Sequence, residues 1–183
     1  MLLTPGAGSS REHHSLVALA GALSPLPTER IDFPYRIAGR PFPDRAPVLI
    51  ATIRDAVAAL CDRAGCDATE VLLLGRSMGG RMCSMAVADG LGAAGLVLVS
   101  YPLHPPRKPQ QLRTAHLPQL SVPCLFISGT RDTFATPDEL LAATALIRGP
   151  VTTRFIDGGR HELDRHDPQL CATVTEWLAG PTS

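Results

Sequence analysis

An excess of charge of either sign is missing from this sequence: 17 basic residues face 17 acidic ones, and the formal net charge is zero. No long-range field is then available to draw in phosphate backbones or anionic lipid, so neither nucleic acid nor a membrane surface is an expected partner. Long apolar runs are missing too. No window approaches the roughly 20 apolar residues that span a bilayer, and Met1 to Ser10 lacks the charged and apolar regions of a signal peptide. A cytoplasmic protein is expected. Lysine occurs once, at Lys108, so a phosphate-binding P-loop has no lysine to use. The five cysteines, Cys61, Cys66, Cys83, Cys124 and Cys171, are odd in number and scattered, unlike the paired framework of a small secreted domain. Reduced, mostly buried thiols are expected. Repeats, linkers and low-complexity tracts are likewise missing.

What is present is material for one core. A length of 183 residues with 45% hydrophobic and 19% charged side chains and a mean hydropathy of +0.11 fits a single domain over residues 1–183. Short apolar runs alternate with segments of helical period, the pattern of an α/β protein with mostly parallel strands. The runs are Met1 to Thr4, Arg30 to Phe33, Val71 to Leu74, Gly95 to Ser100, Val122 to Ser128 and Thr152 to Ile156. Val71 to Leu74 and Leu96 to Val99 are continuous rather than alternating, as strands covered on both faces require, and belong in the middle of the sheet.

Helix signals fill the gaps. Ser9 and Glu12 have the spacing of a capping box ahead of Leu16 to Leu23, and Thr136-Pro137-Asp138-Glu139 repeats the box with proline at the first helical position. An apolar stripe of Ile53, Val57, Leu60 and Ala64 marks a helix from Leu49 to Ala64. Asp167-Pro168 opens a last helix carrying Leu170, Val174, Trp177 and Leu178 on one face, with Gly180 past its end. The proline-rich stretch Tyr101 to Pro123 reads as one long surface connection with a short helix near Gln110 to His116, the only place for a small lid.

The chemistry sits at Gly75-Arg76-Ser77-Met78-Gly79-Gly80, which follows one strand directly and precedes the helical segment Met78 to Asp89. This is G-x-S-x-G in the strand-turn-helix context of a nucleophile elbow, where the serine is held in a strained backbone above the sheet. Its glycines are needed because a Cβ there collides with the neighbouring strand or helix. A serine nucleophile needs a base, and the base needs an orienting acid. Asp132 follows the strand Val122 to Ser128, and His161 follows Thr152 to Ile156, which places both in the order Ser, Asp, His. Asp138 competes for the acid, although a first-turn acid is already explained by the helix dipole. His166 competes for the base. His13, His14, His104 and His116 read as surface or rim residues. Backbone N–H groups must also hold the developing oxyanion. One belongs to Met78, and the other to the turn Pro5-Gly6-Ala7-Gly8, where proline has no N–H and Ala7 is favoured over Gly6 or Gly8. Tyr101, Leu103 and His104 are candidates for the substrate-binding rim.

Competing motifs fail on spacing. Gly6-Ala7-Gly8 begins like a dinucleotide fingerprint, but Arg11 stands where the third glycine belongs, and the second histidine of His161-Glu162-Leu163-Asp164-Arg165-His166 is one residue too far for a zinc-binding helix. Cys61 and Cys66 do not have zinc-knuckle spacing. No metal and no cofactor is indicated.

Taken together, the Pro-Gly-Ala-Gly turn, the Gly-Arg-Ser-Met-Gly motif followed by Arg81, Ser100-Tyr101-Pro102-Leu103-His104, Ser128-Gly129-Thr130-Arg131-Asp132 and Gly159-Arg160-His161 resemble the α/β-hydrolase fold over nearly the whole chain. More narrowly, they resemble the small branch of testis-expressed hydrolase-like proteins and a subunit of the non-specific-lethal chromatin complex, related to dienelactone hydrolases. The resemblance implies a minimal three-layer α/β/α hydrolase of about six strands without a large cap, and a Ser77, Asp132, His161 triad without a cofactor. Hydrolases of this fold usually begin with two further strands, so the resemblance implies a start at their third strand, with a truncated gene start as the alternative, and makes Arg30 to Phe33 a sheet edge blunted by Pro34. Pro5 stands where many relatives have histidine. The expected activity is serine hydrolysis of a small-molecule ester or thioester, and a non-catalytic binding or scaffold protein of the same fold is the alternative.

Overall fold

A computed structural model describes residues 1–180. Its six strands are β1 (Leu2–Thr4), β2 (Glu29–Arg30), β3 (Leu72–Arg76), β4 (Gly95–Val99), β5 (Cys124–Gly129) and β6 (Val151–Ile156). They form one sheet in the order β2-β1-β3-β4-β5-β6, and every pairing is parallel. The helices are α1 (His14–Ala22), α2 (Pro34–Ile37), α3 (Ala46–Ala64), α4 (Met78–Ala88), α5 (Pro137–Thr144) and α6 (Asp167–Ala179).

Strand alternation divides the apolar side chains between two faces. Leu73, Leu96, Leu98 and Phe126 point to one side, where they meet Leu49 and Ile53 of α3, Met82 of α4 and Leu140 of α5. Leu74, Val97, Val99 and Ile127 point to the other, where they meet Leu16 and Leu19 of α1 and Leu170 and Val174 of α6. The result is a three-layer α/β/α architecture with a core on each side of the sheet. Because β1 is followed outward by β2 and inward by β3, the strand order reverses between β1 and β3. In open α/β sheets the crevice at the carboxyl ends of such a pair is where ligands bind.

Several elements differ from their sequence-based placement. The run expected at Arg30 to Phe33 is a shorter strand shifted back to Glu29–Arg30, with the Ile31 N–H donating to Leu3 O at 3.2 Å, because Phe33 already caps a short helix that Pro34 begins. β2 is nevertheless the sheet edge. Helix α1 is capped by His13, whose side chain accepts from the Ser15 N–H, not by Ser9, while Glu12 reaches Arg30 instead. The short helix expected near Gln110 to His116 is a 3₁₀ turn at Leu117–Gln119. Ala64 is exposed, so the α3 stripe consists of Leu49, Ile53, Val57 and Leu60. All five cysteines are free, but only Cys83 and Cys124 are buried. No helix among the described residues is long and apolar enough to cross a membrane.

Candidate active site

The turn between β3 and α4 is shaped by what cannot fit there. A Cβ on Gly75 would lie 2.3 Å from the Gly80 backbone, and one on Gly79 would lie 2.6 Å from both the Pro5 carbonyl and Thr4 Oγ1. With side chains excluded, α4 starts immediately against β1 and β3, and Ser77 is left at φ 50°, ψ −118°. That is strained backbone for a residue with a Cβ. It is held by the Ser77 N–H donating to Val99 O at 2.8 Å and by Arg81 N–H donating to Ser77 O at 3.1 Å.

Two later strand ends bring the partners. His161 and Asp132 stand on the loops after β6 and β5, and these loops are fastened together. Arg131 N–H donates to Gly159 O at 2.8 Å, and Gly158 N–H donates to Thr130 Oγ1 at 2.9 Å. Gly129 must be glycine, since a Cβ would lie 2.1 Å from Gly159 O. In this frame His161 Nδ1 donates to Asp132 Oδ2 at 2.8 Å. That partner fixes the proton on Nδ1 and leaves Nε2 to accept from Ser77 Oγ, 2.9 Å away. Asp132 is 3% exposed, and its Oδ1 also accepts from the Phe134 N–H at 2.8 Å. Phe134 stacks on the His161 ring with centroids 4.0 Å apart.

Of the rival acids and bases, Asp138 lies exposed in the first turn of α5. His166 is the N-cap position of α6. Neither is brought to Ser77.

The turn after β1 lies beside Ser77. Gly6 O accepts from the Ser9 N–H at 3.2 Å, which turns the Ala7 N–H to the opposite side of the same planar peptide. Tyr35 Oη donates to Ala7 O at 2.6 Å and fixes the next peptide. Among the described residues, neither the Ala7 nor the Met78 N–H donates to another protein group. Both residues line a cavity of about 730 Å3 together with Ser77, Phe134 and His161.

The rim differs from expectation. Tyr101, Leu103 and His104 do not line this cavity. The turn at Ser100 (φ 50°) sends the Tyr101 ring into the core, edge-on to Phe126 at 5.7 Å, and Leu103 follows it there. His104 is buried against Glu139 and Pro105. The intervening Pro102 faces the cavity instead, joined by Arg113 from the same connection.

Residue-type reasoning did not place Arg36, Arg76, Arg81, Arg113, Phe134 or Glu162 at the cavity, whereas His13, read from the sequence as a surface or rim residue, does line it. Arg76, the variable residue of the G-x-S-x-G motif, is 4% exposed. It donates to the Glu162 carboxylate and to His161 O. His13 is pushed down to about 4, first by burial and then by Arg76, so it stays neutral. No sequence signal brings these residues together, because they reach the cavity from separate parts of the chain.

Comparison with known proteins agrees with this architecture. A family model described as alpha/beta hydrolase domain matches residues 1–174. Among solved structures, dienelactone hydrolase from Anabaena variabilis has a TM-score of 0.75 at 20% identity, covering 100% of this chain and 86% of its own. An a/b serine hydrolase without lid from Xanthomonas campestris has a TM-score of 0.76 at 16% identity, covering 100% and 84%. The type II thioesterase BorB, from the borrelidin biosynthetic cluster, has a TM-score of 0.71 at 20% identity, covering 97% and 90%.

Proposed function

The chain belongs to the alpha/beta hydrolase domain family, and from that premise we propose that it is a serine hydrolase cleaving a carboxylic ester or thioester through an acyl-enzyme. The observation that carries this reading is the continuous chain from Ser77 Oγ through His161 to Asp132, at 2.9 and 2.8 Å. Ser77 Oγ attacks the carbonyl while His161 Nε2 takes its proton, then returns it to the leaving group. Asp132 holds the ring in the tautomer that makes Nε2 the acceptor and stabilises the imidazolium that forms. The Met78 and Ala7 N–H groups stabilise the oxyanion. Water repeats the sequence on the acyl-enzyme and releases the acid.

A small-molecule acyl substrate fits the cavity. The structural neighbours named as a serine hydrolase and a thioesterase support the reaction class, and the proposal of a finer kinship with the testis-expressed and non-specific-lethal subunit branch rests on the resemblance of the motifs alone. The proposal includes a cytoplasmic location, supported by five free, scattered cysteines.

Replacing Ser77 by alanine tests the reading. Hydrolysis of p-nitrophenyl acetate and labelling by a fluorophosphonate are both expected to vanish in Ser77→Ala, with the circular dichroism spectrum unchanged. If the unaltered protein neither turns over esters nor takes the label, the non-catalytic scaffold reading replaces this one.

A further inference from the structure

The cavity beside Ser77 is more cationic than the molecule that contains it. The chain is neutral as a whole, yet Arg36, Arg76, Arg81 and Arg113 line this one cavity against two carboxylates, Glu12 and Glu162. Both carboxylates are already engaged. Glu162 pairs with Arg76, and Glu12 pairs with Arg30 and Arg11. Among the described residues, Arg36, Arg81 and Arg113 have no carboxylate within ion-pair distance.

An exposed arginine needs no partner, and Arg36 alone is of that kind. Arg81 and Arg113 differ, because both are partly buried. Burial, and after it the charge of Arg81, pushes the Arg113 guanidinium down. Two cations brought together in a partly buried site are costly unless an anion offsets them. The Arg81 Nε is fully buried and donates to nothing, while the side-chain bond of Arg113 goes to Pro102 O at 3.2 Å.

The groups around the pair supply no negative charge. Tyr101 is pushed up to about 12 by burial, and its hydroxyl donates to Arg113 O at 3.0 Å. His116 is pushed down to about 4 by burial and then by Arg81, and its Nε2 lies 2.8 Å from Ser84 Oγ. Arg81 stands three residues after Met78 on α4, and both line the cavity that holds Ser77.

We propose that Arg81 and Arg113, with Arg36 at the exposed edge, form a subsite for an anionic oxygen group of the substrate, a carboxylate or a phosphate. The enzyme then prefers esters or thioesters that carry such a group a few atoms from the scissile carbonyl. A planar guanidinium matches both groups by paired N–H donors. The inference rests on the hydrolase reading for its substrate but not for its binding.

Two arms separate these. In the kinetic arm, the mono-p-nitrophenyl ester of glutaric acid is compared with p-nitrophenyl valerate, which has a methyl group in place of the carboxylate, and 4-acetoxybenzoate is compared with its methyl ester. The charged member of at least one pair is expected to have kcat/KM higher by about tenfold or more. That ratio should fall towards one in Arg81→Gln and Arg113→Gln, with partial retention in the lysine variants. Equal kcat/KM within both pairs, or a preference that survives in the double variant, overturns the proposal.

In the binding arm, glutarate and inorganic phosphate are titrated calorimetrically into Ser77→Ala protein. Saturable binding that weakens about tenfold or more in the arginine variants supports the subsite. The tighter of the two ligands identifies the source of the charge. Absence of saturable binding by both overturns the subsite even if esters are hydrolysed, and binding without any turnover overturns the hydrolase reading alone.

Discussion

Ser77 is held at φ 50° by packing around it, and the packing is made possible by glycine. At Gly79 the atoms a Cβ would strike, Pro5 O, Thr4 Oγ1 and Thr4 O at 2.6 to 2.8 Å, include backbone that cannot swing aside. Gly79→Ala is therefore expected to destabilise the fold by about 1–3 kcal/mol, the usual cost of overpacking. Gly21 in α1 has nothing within 4 Å of its Cβ position, so Gly21→Ala should stabilise by about 0.5–1 kcal/mol through the unfolded chain. Urea denaturation of the two variants checks the contrast, and equal effects would show that the close approach at Gly79 does not matter. At the same scale, Asp132→Asn is expected to lower kcat by about four orders of magnitude, because His161 would then lose the partner that sets its tautomer. Asp138→Asn, at an exposed position, should leave turnover near that of the unaltered protein. The reverse ranking in steady-state kinetics would move the acid to Asp138.

Helix α5 is an element whose beginning was readable from local chemistry alone. Thr136 Oγ1 accepts from the Glu139 N–H at 3.3 Å, and the Glu139 carboxylate accepts from the Thr136 N–H at 2.8 Å. Removing the cap in Thr136→Ala should cost about 1 kcal/mol, seen as a lowered Tm. A Tm equal to that of the unaltered chain would mean that tertiary contacts of Leu140 and Ala143 hold the helix without its cap. The same spacing at Ser9 and Glu12 had no such outcome. Arg30 draws Glu12 away at 3.1 Å, and a long-range partner outcompeted the local one.

Over the whole molecule, two histidines connect burial to acid stability. His13 and His116 are both pushed from the ordinary 6.5 down to about 4, chiefly by burial and secondarily by an arginine, Arg76 or Arg81. An unfolded chain protonates both near pH 6.5, while the folded protein resists until about pH 4. The unfolded state thus binds more protons in between, and stability falls as pH drops through that window. Below it the folded state is protonated too, and these groups add no further slope. The chemical midpoint in urea, followed from pH 7 to pH 4, should fall less steeply in a His13→Gln, His116→Gln double variant. An unchanged slope would assign the acid sensitivity to other groups.

What the sequence determined by itself was whatever depends on neighbours in the chain. Continuous apolar runs marked β3 and β4 as central, period-3.6 stripes marked α3 and α6, and the glycine spacing around Ser77 marked a turn where the strand meets the helix. The candidate acid and base were readable for the same reason, since each directly follows a strand in a parallel sheet and so reaches the same edge. The tertiary structure decided everything that depends on which way a loop side chain turns. Ser100 at φ 50° sends Tyr101 and Leu103 into the core and leaves Pro102 at the cavity, an outcome no periodicity predicts, because loops have none. The arginines of the cavity converge from positions 36, 76, 81 and 113, on three segments far apart in sequence, Arg76 and Arg81 flanking the same turn between β3 and α4. Their meeting is set by the sheet order, which reverses between β1 and β3 and carries these segments to one crevice, and a balanced net charge conceals it.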